Sequence, residues 1–129
     1  MSNRFVTAIN CMDGRVQEPV IEYLKKNYRI DYVDMITEPG PNKILAENKD
    51  KCIIDSIKKR IDISLDKHKS NLIAVVGHYD CAGNPKSKQG QIEDIKIALK
   101  NVRSWYNDVM LIGLWVDEKW KVSEVCKSY

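Results

Sequence analysis

No apolar run in this sequence approaches the roughly 20 residues needed to cross a bilayer. The longest, Leu72 to Gly77 and Val109 to Val116, suit buried strands. No membrane partner is therefore expected. An early apolar stretch, Phe5 to Ile9, is too short for the core of a secretion signal and runs directly into polar Asn10 and Asp13. A cytoplasmic location is the simplest expectation. A block of one charge sign is also missing, because the net +3 is spread through mixed segments such as Lys58-Lys59-Arg60-Ile61-Asp62 and Glu93-Asp94-Ile95-Lys96. That pattern describes solvated helix faces. It lacks the one-sided basic surface with stacking aromatics that nucleic-acid binders present, so no nucleic-acid partner is expected. Repeats and low-complexity segments are absent as well. Four cysteines without a secretory signal argue against a disulfide framework, which leaves metal binding or catalysis as the better question.

What is present fits one globular domain over residues 1–129, with 43% hydrophobic and 30% charged residues. Phe5 to Ile9 reads as a buried strand that stops just before Cys11. Val16, Val20, Leu24 and Tyr28 recur every four residues and, with Pro19 suited to a first turn, predict a helix over Pro19 to Asn27. Tyr32 to Ile36 is a second strand. The segment Glu38-Pro39-Gly40-Pro41-Asn42 after it is read as an irregular loop, on its prolines and glycine. Ile53, Ile57, Ile61 and Leu65 mark the longest helix, from about Asp50 to His68. Leu72 to Gly77 is a strand covered on both faces. A helix through Ile92, Ile95, Leu99 and Val102 follows, then a strand over Val109 to Val116 that Gly113 is expected to interrupt. A last short strand, Trp120 to Val125, is expected to fold back antiparallel. The order β-α-β-α-β-α-β predicts an α/β fold: a mostly parallel four-stranded sheet with helices on both faces. Ligands of such sheets sit at the carboxyl ends of strands, where the winding reverses.

Cys11 stands at the end of the first strand, and His78 and Cys81 follow the third. Thiolate and imidazole suit zinc, and a catalytic zinc takes three protein ligands while a fourth position stays open. The two residues between His78 and Cys81 let one turn present both side chains to one ion, while Cys11 arrives from another strand. Alone His-x-x-Cys says little, but after a buried strand and paired with Cys11-Met12-Asp13-Gly14-Arg15 it says much more.

This pair of motifs resembles the β-class carbonic anhydrases, whose pattern is Cys-x-Asp-Ser-Arg followed later by His-x-x-Cys. Cys11, Asp13, Arg15, His78 and Cys81 match it, and the approach Val75-Val76-Gly77-His78 is similar too. The resemblance implies one zinc per chain on Cys11, His78 and Cys81, reversible hydration of carbon dioxide to bicarbonate, and a homodimer. It implies that Asp13 orients the attacking hydroxide and Arg15 holds Asp13, with release of Asp13 onto the zinc as a closed state. Two departures bear on the pocket: Gly14 stands for the family's serine, and Glu38-Pro39-Gly40-Pro41-Asn42 for its usual Arg-Asn-Ala-Gly-Asn. Only ten residues precede Cys11, so the family's N-terminal helices and their glutamine are not expected here.

Other readings compete with these. Cys52 and Cys126 are read as ordinary core thiols, and His68 as a charge at a helix C-terminus. Asp13 and Arg15 could be a structural ion pair, and Trp105, Trp115, Trp120 and Tyr106 simple packing. A phosphatase is disfavoured, because the Cys11-to-Arg15 loop is short and lacks the repeated glycines of an anion cradle. A zinc domain used for stability or sensing, and a hydrolase of carbonyl sulfide or carbon disulfide, are the alternatives to carbon dioxide hydration.

Overall fold

A computed structural model of the chain describes residues 4–128. Its strands are β1 (Phe5–Cys11), β2 (Tyr32–Glu38), β3 (Leu72–His78), β4 (Met110–Val116) and β5 (Val122–Ser128). Four helices join them: α1 (Gln17–Tyr28), α2 (Pro41–Glu47), α3 (Lys51–Lys67) and α4 (Lys88–Trp105). One sheet runs in the order β2-β1-β3-β4-β5, parallel except for the final β4–β5 pair. The four-stranded parallel core and its antiparallel extension are as the sequence predicts. Among the described residues, no helix is long and apolar enough to cross a membrane.

Every residue of β3 is buried, which explains its unbroken apolar run. On one face Val16, Val20 and Leu24 of the α1 segment pack on Val6, Ala8, Ala74 and Val76. On the other, Leu45 of α2, Ile57 and Ile61 of α3 and Ile95 and Val102 of α4 cover Ile9, Ile73, Val75 and Leu111. Since β1 pairs with both β2 and β3, the winding reverses between β1 and β3, at the ends that carry Cys11 and His78.

Several expectations need correction. Pro41 does not prolong a loop but opens α2, with Gly40 as its left-handed cap, because a proline at a first helical position loses no hydrogen bond and has its φ already set. The α3 stripe is rotated by one residue at both ends: Ile54 and Ser64 are buried where Ile53 and Leu65 were predicted to be. Ser64 is buried for its hydroxyl, which bonds Thr7 at 2.6 Å and the Asp34 carboxylate at 2.7 Å. Gly113 leaves β4 continuous and instead accompanies a register shift in β5, since a Cβ there would lie 2.5 Å from Ile95 and 2.6 Å from Cys126. β5 begins at Val122 rather than Trp120, which turns through a positive φ of 61°.

Candidate metal centre

β1 runs two residues and β3 one residue further than their apolar stretches, so Cys11 and His78 are the last residues of adjacent strands. Asp80, at φ 58°, lies in the turn after β3 that leads to Cys81. The potential ligand atoms of Cys11, His78 and Cys81 all lie within 4.8 Å of one another, and all three residues are buried. Cys52 and Cys126 stay outside this cluster, and Cys52 is exposed rather than a core thiol.

The geometry suits zinc. Two sulfurs about 2.3 Å from a tetrahedral ion sit about 3.8 Å apart, and Cys11 Sγ and Cys81 Sγ are 3.9 Å apart. His78 donates its Nδ1 proton to the Tyr79 carbonyl at 2.7 Å, which leaves Nε2 as the lone-pair nitrogen. That Nε2 is buried and has no hydrogen-bond partner among the described residues. An orphaned buried nitrogen is costly unless something binds it, and two sulfurs stand beside it. Hydrogen bonding to Cys81 pulls the Cys11 thiol down to about 4 against its burial, with His78 helping. Cys81 is pushed up in turn, first by that same bond and then by burial. The hydrogen bond between the sulfurs thus favours the thiolate on Cys11 over Cys81. Burial opposes a charge on His78, but Cys11, the Tyr79 carbonyl and Asp13 outweigh it and raise its pKa.

Asp13 and Arg15 form a tight pair in the loop after Cys11. Arg15 Nε and an Nη reach the Asp13 carboxylate at 3.0 and 2.7 Å, and the Arg15 backbone N–H adds a third bond at 2.9 Å. Hydrogen bonding from Arg15 holds the Asp13 carboxyl at about 2, against its partial burial. Asp13 is not a member of the Cys-His-Cys cluster. Gln17 braces the same loop by donating to the Cys11 and Asp13 carbonyls at 2.7 and 2.9 Å.

Sequence reading missed three neighbours. Asp80 accepts from Arg15 at 3.3 Å, so one guanidinium ties the Cys11 loop to the His78–Cys81 turn. Trp120 lies beneath that guanidinium at 4.7 Å while it also packs against the core cluster on that face of the sheet. The Asn84 backbone N–H reaches Cys81 Sγ at 3.3 Å. Asp80 and Asn84 could have been suspected from their closeness to Cys81, whereas nothing local marks Trp120. His68 stands at the C-terminal cap position of α3, and its Nδ1 meets Asp34 at 2.6 Å.

Among the solved structures similar to this fold are three β-carbonic anhydrases. One, from a report of two tetrameric enzymes of Sordaria macrospora, matches with TM-score 0.55 and 14% identity over 100% of this chain and 84% of its own. The enzyme CcaA gives TM-score 0.60 and 16% identity over 100% of this chain and 79% of its own. CafA of Aspergillus fumigatus gives 0.52 and 13% over 96% and 76%. At such identities these likenesses establish the fold. A comparison with curated proteins gives no match. A family model, in contrast, covers residues 1–126, and by that match the chain belongs to the family described as "Putative carbonic anhydrase".

Proposed function

We propose that this protein is a zinc enzyme that interconverts carbon dioxide and bicarbonate. One observation carries the reading: Cys11, His78 and Cys81 meet at the carboxyl ends of β1 and β3 with the buried His78 Nε2 unpartnered. A zinc ion held by these residues would supply Lewis acidity, bringing the pKa of bound water from 15.7 toward 7. The chain's own residues do the rest. Cys11 and Cys81 serve as thiolates, and the Tyr79 carbonyl keeps His78 in the tautomer that binds through Nε2. Asp13, ionised at all but very acid pH, would accept a hydrogen bond from a hydroxide held at the site and so orient it toward the substrate carbon. Arg15 keeps Asp13 in that role and out of the ligand cluster.

The proposal extends to a cytoplasmic setting, which keeps the free thiols reduced. It extends also to assembly as at least a homodimer. Met12 and Tyr79, which follow two of the ligands directly, are 62% and 51% exposed and would be covered by a second copy. Metal analysis and stopped-flow carbon dioxide hydration test the reading. About one zinc per folded chain with hydration at pH 8 supports it. A folded protein without metal refutes the site, and a zinc-loaded protein that does not hydrate carbon dioxide at or above pH 8 refutes the activity.

A further inference from the structure

Helix α4 carries a buried glutamine that the chemistry above leaves unused. We infer that Gln91 is a positioning residue for the metal, locking the main chain of the segment 78–86 that carries both His78 and Cys81. The inference rests on reading the Cys-His-Cys cluster as a metal site. Gln91 is 1% exposed. Its Oε1 accepts from the His78 backbone N–H at 3.1 Å, and its Nε2 donates to the His78 carbonyl at 2.8 Å. The same Nε2 donates to the Asn84 carbonyl at 3.1 Å and lies 3.4 Å from that of Lys86. One carboxamide therefore grips the residue where the segment starts and two near its end, with Cys81 between.

A planar amide offers a donor and an acceptor side by side for this task without titrating. A leucine would fill the same volume without burying polar atoms, so the choice of glutamine points to the hydrogen bonds. Gly77 makes room for it: a Cβ there would sit 3.0 Å from Gln91 Oε1 and 2.8 Å from Asn42 Nδ2. Asn42, from α2, accepts from Asn84 Nδ2 at 3.2 Å, and Asn84 also donates to Asp94 at 3.0 Å. The Asn84 N–H ends the chain of contacts on Cys81 Sγ. Groups one layer behind metal ligands typically account for about 10–100-fold in affinity.

The full chain carrying Gln91→Leu or Gln91→Glu tests this, with zinc affinity measured by chelator competition and site geometry by the visible absorption of bound cobalt(II). Gln91→Leu is expected to weaken zinc about 10–100-fold and to alter the thiolate-to-cobalt and d–d bands, while the metal-free fold persists by circular dichroism. Gln91→Glu, which keeps an acceptor but loses the donors, is expected to fall between. A merely structural glutamine would lower the unfolding temperature and leave affinity and cobalt spectrum unchanged, and that result in a folded variant overturns the inference alone. If only Gln91→Glu folds, it decides by the same criteria; if neither folds, Gln91 is a folding residue and the inference is overturned. If the wild type takes up no cobalt or zinc, the metal reading falls first and this inference with it.

Discussion

Replacing Gly40 by alanine tests how the loop before α2 supports the site. Gly40 has φ 60°, a left-handed conformation that costs a side-chain-bearing residue about 1 kcal/mol. The new Cβ would lie 2.6 Å from the Gly83 carbonyl carbon and 2.8 Å from the Asn84 nitrogen. Ordinary carbon contacts begin near 3.5 Å, so the two backbones must part by roughly 1 Å. Overpacking of this kind costs about 1–3 kcal/mol, which brings the total to about 3 kcal/mol. For a chain of this size that is a fall of about 12 °C in unfolding temperature. The displaced atoms include the Asn84 N–H that reaches Cys81 Sγ, so zinc affinity is expected to fall as well. Thermal unfolding by circular dichroism in a metal chelator measures the first effect, and chelator competition the second. Gly14→Ser is the control: a Cβ at position 14 meets nothing within 4 Å, so the family's serine is expected to shift the temperature by less than about 2 °C. A Gly40→Ala protein that melts within about 2 °C of wild type would refute the close approach of the two loops.

Three further outcomes are expected. The Asp13 carboxyl, followed by NMR, should titrate at about 2 in the wild type and near the ordinary carboxylate value in Arg15→Ala; because its pKa is depressed, the pair's stabilisation is full above the ordinary value and lost as pH falls toward 2. Equal midpoints in the two proteins would show that Arg15 does not hold it. Metal-free protein should show thiolate absorbance near 240 nm at pH 7 that disappears only around pH 4 and is missing in Cys11→Ala, since it is the Cys11 thiol that is lowered. Persistence of that band in Cys11→Ala would place the charge elsewhere. In α3, Ile57→Ala should destabilise by about 3 kcal/mol and Ile63→Ala by less than about 0.5 kcal/mol, because the first is buried and the second half exposed. Comparable losses in denaturant melts would contradict the burial pattern.

The parallel sheet was readable because β1, β3 and β4 are buried on both faces and so carry continuous apolar runs. The candidate ligands were readable for a related reason, since Cys11 and His78 stand at or just past the ends of their strands' apolar runs. Other features depend on partners distant in sequence. Ser64 sits in the core because Thr7 and Asp34 meet it from β1 and β2, so a count of apolar residues along α3 points one position away. Pro41 and Gly40 give the same local signal whether a loop continues or a helix begins. Trp120 became a site residue only when the turn before β5 brought it under Arg15. Gln91 reads as one more polar residue on an amphipathic helix until Gly77 and His78 are found against it.

The position of the proposed ligands at the winding reversal also sets an order of events in folding. His78 and Cys81 are near neighbours along the chain, but Cys11 reaches them only after β1 has docked beside β3 across more than sixty residues of intervening chain. Closing so long a loop is entropically expensive, and two donors alone make a weak trap for an ion. Under the proposed metal reading, capture is therefore a late step that follows central strand pairing. The rate of zinc uptake during refolding becomes a clock for the formation of the middle of the sheet, and a mutation that slows β1 docking would delay uptake without touching a single ligand.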